Sequence, residues 1–268
     1  MINNKIVLFD MDGTLTEPRG LLNTELLLPL RELSRHAEIG VLTGSDYNYI
    51  QSQLLKLIKF SEIRFKLHLL PCNGTKHYSP PQYPQEDFTL IHENNMEQEL
   101  GNPALKEIYK ILTKEQAEVC YNDIPLTGHF INYRGSIINW CPIGRNASPE
   151  QRAAFVEYDK KNNFRERLIN KLQSRFELRC PNKVQVRKGG ETSFDIYPNG
   201  WDKTYALRHF PDYECWFVGD RCEPGGNDCE IYQELMPWDR SFQTKHTIET
   251  AWIIREEILP KFKGKTNG

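Results

Sequence analysis

One stretch constrains the chain more than any other: Phe9-Asp10-Met11-Asp12-Gly13-Thr14-Leu15-Thr16. The run before it, Lys5-Ile6-Val7-Leu8-Phe9, is apolar, branched and aromatic, and reads as a buried strand. Gly13 then breaks the strand and lets the backbone turn sharply. Two carboxylates, Asp10 and Asp12, therefore stand one residue apart at the carboxyl end of a strand, where open α/β sheets bind their ligands. Like charges so close repel unless a cation or a shared proton compensates them. A hard divalent ion such as Mg2+ takes oxygen ligands of this kind together with substrate phosphate. A carboxylate can also act as a nucleophile and carry a phosphoryl group itself. The plain alternative is an acidic strand-to-turn corner with Thr14 as a local cap. The full string argues against it, because every position agrees with one mechanism.

The surrounding pattern predicts the architecture. Asn23 to His36 has helical leucine spacing, with Pro29 implying a kink or a late start. Glu38 to Leu42 reads as a second strand, and a helix follows through Leu54, Leu55 and Ile58, capped by Ser45 or Asp46. Phe65 to Leu70 is a third strand. Strand–helix–strand–helix–strand predicts a parallel, doubly wound sheet. Prolines at 80, 81 and 84 then mark a change of character, a linker running to about Glu99. Beyond it come an amphipathic helix (Ala104 to Ala117), a hairpin around Gly135, a long charged helix from Ser148 towards Phe176, and two short strands between Lys183 and Tyr197. The α/β pattern resumes with a helix from Asp202, a buried strand Cys215 to Val218, a short helix opening between Asn227 and Tyr232, and a helix over Ile248 to Leu259 with Ile248, Trp252, Ile253 and Ile258 as its apolar face. The expected fold is α/β: a doubly wound core from residues 1–80 and 198–268, interrupted by an α+β cap domain over 81–197 with an antiparallel sheet and helices.

Composition narrows the partners. In 268 residues a net charge of −2 gives no electrostatic case for nucleic acid or an anionic membrane. No apolar stretch approaches a membrane span, and Met1-Ile2-Asn3-Asn4-Lys5 leads straight into a core strand without a signal peptide. Seven cysteines without a CxxC pair read as reduced thiols, so the expected location is cytoplasmic. The seven histidines lack metal-ligand spacing.

Four strand or helix ends of the α/β part carry residues suited to phosphoryl transfer: Asp10 with Asp12, Thr43, Lys203, and Asp220 with Asn227 and Asp228. That reaction needs in-line positioning and neutralised charge on the equatorial oxygens. A lysine and a divalent ion supply the charge, and a hydroxyl supplies a hydrogen bond.

The order of these motifs matches the haloacid dehalogenase (HAD) superfamily of phosphotransferases, whose first motif the opening string resembles. The inserted stretch sharpens the match. Phe130-Ile131-Asn132-Tyr133-Arg134, Pro142-Ile143-Gly144-Arg145, Ser148 to Arg152, Gly189 to Asp195 and Gly200-Trp201-Asp202-Lys203 resemble the eukaryotic-type phosphomannomutase family. The resemblance implies a HAD-like core and interconversion of mannose 1- and 6-phosphates. It implies Asp10 as nucleophile, Asp12 as general acid and base, and Thr43 and Lys203 bracing the phosphoryl group. It implies Mg2+ at Asp10, the Asp12 carbonyl and Asp220, with Asn227 and Asp228 nearby. Arg19, Arg134, Arg145, Arg152, Ser193 and Asp195 match the family's substrate contacts, and arginine forks suit phosphate. A hexose 1,6-bisphosphate activator, hexose phosphates as the small-molecule partners, and a homodimer through the cap are further expectations. The chain departs from the family in reading Thr43-Gly44-Ser45 for Gly-Gly-Ser. It departs again after Asp228, at the loop that would build a second cation site. A sugar-phosphate phosphatase is the nearer rival reading, because water admitted to the same phosphoenzyme turns a mutase into a hydrolase. A non-catalytic sugar-phosphate-binding protein is the other.

Overall fold

In a computed structural model the chain is described over residues 4–119, 123–181 and 183–263. It divides into two compact units, residues 1–93 with 202–268 and residues 94–201.

The strands, in chain order, are β1 (Asn4–Phe9), β2 (Glu38–Leu42), β3 (Leu67–Leu70), β4 (Lys76–Ser79), β5 (Thr89–Glu93), β6 (Ile131–Tyr133), β7 (Ile138–Trp140), β8 (Val184–Gly189), β9 (Ser193–Pro198), β10 (Tyr213–Gly219) and β11 (Ser241–Gln243). The first unit holds a sheet in the order β11-β10-β1-β2-β3-β4-β5. Pairing is parallel from β11 to β3 and antiparallel at β4 and β5. The central strand β1 shows why the sheet needs covering on both sides. Val7 and Phe9 join one apolar cluster, Ile6 and Leu8 the other, and all four are fully buried. Parallel strands read as continuous apolar runs for this reason. Chain order reverses between β1 and β10, which opens a crevice at their carboxyl ends.

The helices of this unit follow their caps. Asn23 caps a short 3-10 turn (Thr24–Leu26), and α1 (Leu27–Leu33) starts after it, late as Pro29 requires. Asp46 accepts the Tyr49 N–H at the start of α2 (Tyr47–Phe60). The expected linker past Tyr78 is instead a hairpin: its prolines occupy the loop, and β4 and β5 extend the core sheet, so the first unit reaches residue 93 rather than 80.

In the second unit, β6-β7-β9-β8 form an antiparallel sheet beside α3 (Met96–Leu100), α4 (Asn102–Val119), α5 (Pro149–Asn162) and α6 (Phe164–Arg179). Strand alternation separates two faces: Trp140, Phe194, Ile196, Val184 and Val186 are buried, while Asn139, Ser193 and Asp195 share the opposite face. The single long helix expected after Ser148 is two. Asn163 takes the left-handed conformation at φ 48°, which asparagine tolerates, and the break lets Phe164 meet Phe155 edge-on. Ser148 and Gln151 form the expected cap as a reciprocal pair.

The chain returns through α7 (Cys229–Leu235) to α8 (Thr247–Trp252), a π-helical stretch (Ile253–Ile258) and α9 (Leu259–Lys263). Here the expected apolar face is corrected. Ile248 and Trp252 are exposed, whereas Ala251, Ile253, Ile254, Ile258 and Leu259 are buried. The widened π turn shifts the helical period, so a 3.6-residue pattern misplaces the face. The six described cysteines form no disulfide with one another, and Cys120 and the residues from 264 on lie outside the described residues. No helix among the described residues is long and apolar enough to cross a membrane.

Candidate active site

Register brings the polar strand ends together. Phe9 pairs with Val41 on one side and Val218 on the other, so Asp10, Thr43 and Asp220 each follow the carboxyl end of one of three adjacent strands. Thr43 is buried, and its hydroxyl accepts the Ser45 N–H at 3.1 Å. Asp202 caps the short 3-10 helix Lys203–His209, which carries Lys203 inward until it is 1% exposed. Its ammonium donates to Asp10 Oδ1 and, at 2.5 Å, to Asp228 Oδ1. Asp228 Oδ2 accepts the Arg221 N–H at 3.0 Å. Gly13 has to be glycine: its φ is +90°, and a Cβ there would overlap the Asp220 carboxylate.

The charges do not balance. Asp10, Asp220 and Asp228 bring carboxylate oxygens within 4.8 Å of one another, three negative charges against the Lys203 ammonium and the Arg221 guanidinium, the latter 3.7 Å from Asp220 Oδ2. Burial would push the Lys203 ammonium down, but the charges of Asp10 and Asp228 and their hydrogen bonds outweigh it and hold it above its ordinary value. Burial, then repulsion from Asp228, raises Asp220 to about 6. Burial also raises Asp10 well above the usual carboxylate range, against the opposing pull of Lys203. Two further oxygens, Asp220 Oδ1 and Asn227 Oδ1, are buried without a hydrogen-bond partner among the described residues. Excess negative charge with orphaned oxygen donors fits a hard divalent cation such as Mg2+.

Asp12 stands apart from that cluster. Its Oδ1 accepts two hydrogen bonds, from the Arg19 N–H at 3.1 Å and from the Tyr49 hydroxyl at 2.9 Å. The Tyr49 hydroxyl lies 3.2 Å from Oδ2. Burial first, then the charge and hydrogen bond of Asp12, push the Tyr49 phenol well above its ordinary value. Arg19 thus meets Asp12 through its backbone, in a left-handed turn at φ 60°, while its side chain is exposed.

In the second unit, three of the expected residues gather around one that sequence reasoning missed, and a fourth, Arg152, joins them through the Arg145 carbonyl. Asn139 stands opposite Asp195 in the sheet, and its amide donates to Asp195 Oδ1 at 2.7 Å and Ser193 Oγ at 2.9 Å. Its carbonyl accepts from Arg145 at 2.7 Å. Arg152 donates to the Arg145 carbonyl at 3.1 Å and to Thr192 Oγ1 at 2.8 Å. A Cβ on Gly189 would overlap the Asp195 carboxylate. Arg134 closes the β6–β7 turn by donating its N–H to Ile137. Asn139 carried a signal in hindsight, as the polar residue at the alternate position of a strand whose neighbours are Ile138 and Trp140. Tyr49 carried none, since an aromatic on an amphipathic helix reads as packing.

Four of the seven histidines form a cluster that no spacing betrayed. His68 Nε2–H donates to Glu38 at 2.8 Å, and its Nδ1 lies 2.8 Å from His77 Nε2. His209 donates to the Gly74 carbonyl at 2.7 Å, and His92 lies 3.0 Å from the Tyr205 hydroxyl. The Lys203-bearing segment is thereby tied to the sheet edge.

Comparisons with known proteins bear on the family and the fold. The model of the family described as eukaryotic phosphomannomutase matches residues 26–256. A phosphomannomutase of Dendrobium officinale is 38% identical over 265 residues, covering 98% of this chain and 96% of its own. One from Arabidopsis thaliana is 38% identical over 236 residues, covering 85% of this chain and 87% of its own. Among solved structures, an IMP-bound IMP-nucleotidase of Plasmodium falciparum superposes with a TM-score of 0.62 at 14% identity, covering 94% of this chain and 67% of that one. That likeness concerns the fold, a HAD-like core with an added α+β unit.

Proposed function

The chain belongs to the eukaryotic phosphomannomutase family, and from that premise we propose that it interconverts mannose 1-phosphate and mannose 6-phosphate through a phosphoryl group carried on Asp10. The observation that carries the mechanism is Lys203, buried between Asp10 and Asp228 beside Asp220. An ammonium in that position orients the nucleophilic carboxylate and lies ready for the charge of an incoming phosphoryl group.

A carboxylate oxygen of Asp10 attacks the phosphorus of a hexose 1,6-bisphosphate as the bond to the sugar oxygen breaks. Asp12 gives that oxygen its proton, releasing a hexose monophosphate. Asp12 then removes the proton from the free hydroxyl of the next monophosphate, which takes the phosphoryl group back from Asp10. Lys203 and the Thr43 hydroxyl brace the phosphoryl oxygens. Asp10, Asp220 and the Asp12 carbonyl would hold Mg2+, with Asn227 and Asp228 supporting it; bound there, the ion would neutralise charge on the transferred group. Arg145, held by Asn139 beside Ser193 and Asp195, and Arg152, bonded to the Arg145 carbonyl, supply forked donors that suit a substrate phosphate, with Arg134 as a third.

The deciding experiment supplies Mg2+ and mannose 1-phosphate, with and without a catalytic amount of hexose 1,6-bisphosphate. Mannose 6-phosphate that depends on the bisphosphate, with little free phosphate, is the expected result. Steady phosphate release without mannose 6-phosphate would make the protein a phosphatase instead.

A further inference from the structure

We propose that Tyr49 is a positioning residue for the proton transfer made by Asp12. The inference rests on the reading of Asp12 as general acid and base.

The two oxygens of Asp12 are not equivalent. Oδ1 accepts from both the Arg19 N–H at 3.1 Å and the Tyr49 hydroxyl at 2.9 Å, while the Tyr49 contact to Oδ2 is longer at 3.2 Å. Two donors on Oδ1 leave it poorly disposed to carry a third hydrogen, so the transferable proton is carried on Oδ2. As that proton leaves for the sugar oxygen, negative charge grows on a carboxylate already facing two donors, which need not reorganise. Tyr49 keeps its own proton throughout: the P–O bond to the sugar breaks, Asp10 gains the phosphoryl group, and the sugar oxygen gains the Asp12 proton.

The hydroxyl itself is held in place. Asp46 caps α2 by accepting the Tyr49 N–H at 2.9 Å, which fixes the backbone from which the ring reaches Asp12. On the Asp12 side, Thr16 donates to the Met11 carbonyl at 3.2 Å and to Gln53, one turn beyond Tyr49 on α2, at 3.0 Å. The loop bearing the acid and the helix bearing the phenol are thus fastened to each other. Removing only the hydroxyl would leave that frame standing and let the carboxylate rotate. Small misplacement of a catalytic group is costly to rate.

The test uses leaving groups. In single turnover, phosphate label on the protein is followed from hexose 1,6-bisphosphate, whose sugar oxygen must be protonated to leave. It is also followed from p-nitrophenyl phosphate, whose phenolate leaves unaided. Tyr49→Phe is compared with Asp12→Asn and the unaltered chain. The expected result is a Tyr49→Phe rate about tenfold lower with the sugar donor, well in excess of any loss with the nitrophenyl donor, the size a lost charge-assisted hydrogen bond gives. Asp12→Asn should show the same selectivity more strongly. Equal losses on both donors for Tyr49→Phe, with Asp12→Asn still selective, would overturn the role of Tyr49 alone. If Asp12→Asn also loses equally on both, or the unaltered chain takes no label from either donor, the reading of Asp12 and Asp10 falls, and this inference with it.

Discussion

The two candidate clusters, one in each unit, treat charge differently. In the first, Lys203, Asp10 and Asp228 are almost wholly buried and bound to one another. In the second, Arg145 and Arg152 are half-buried, and Asn139, Thr192 and backbone carbonyls accept hydrogen bonds from them. A buried ion cluster is costly to desolvate and ruinous to unbalance, so it suits groups that must never reorganise, such as a nucleophile and its counter-ion. A partly exposed arginine presents a planar charged fork that matches phosphate, so it suits recognition. The function proposed above assigns chemistry to the first arrangement and phosphate binding to the second.

The sharpest way to break that division is Asp10→Asn. Turnover should fall to background and phosphate label on the protein should vanish, while the melting temperature holds, because the side chains are nearly isosteric and Asp228 still pairs with Lys203 in a cluster that carries excess negative charge. Residual turnover at a tenth of the normal rate would remove the nucleophile. Next in size, Lys203→Met should destabilise the first unit by about 3–5 kcal/mol, the usual cost of stranding a buried charge. Urea unfolding would read this, and millimolar Mg2+ should recover part of the loss, since an ion bound only by the folded state stabilises it. An unchanged midpoint would mean that the carboxylates tolerate one another without the ammonium.

Arg145→Ala should leave the urea midpoint nearly unchanged yet lower kcat/KM for mannose 1-phosphate by roughly tenfold to a hundredfold, the worth of a charge-assisted contact. Arg145→Lys should recover only part, because it restores charge without the fork. A stability loss as large as that of Lys203→Met would erase the contrast between the units.

The smallest effect concerns pH. Burial and three neighbouring histidines depress His77 to about 3. Below its unfolded value of about 6.5, the unfolded chain binds a proton that the folded chain refuses. Stability from this group is therefore lost as pH falls from about 6.5 towards 3. Melting temperature recorded between pH 7 and 5 should decline less steeply in His77→Gln than in the unaltered chain. Parallel slopes would show that the cluster is not held neutral.

Much of this was legible in the sequence because it is local. Strand ends announce themselves by an apolar run meeting Asp, Thr or Gly, and Ser148-Pro149 announces a helix start, since caps and turns depend on residues within a few positions. The departures arose where neighbours distant in sequence decide. The prolines after Tyr78 signal a break, but only pairing with β3 makes the flanking residues strands. Asn163 between two helical patterns shows no break until Phe164 and Phe155 have somewhere to pack.

The sequence by itself determined the order of strands and helices, the two acidic clusters and the lysine between them along the chain. Only the tertiary structure decided that Lys203, 193 residues from Asp10, is the ammonium that meets it, that Asn139 gathers Arg145, Ser193 and Asp195, and that Tyr49 reaches Asp12. The reason is physical: propensity and capping act over one turn of chain, whereas a buried charge finds its partner wherever packing leaves no water to take that partner's place.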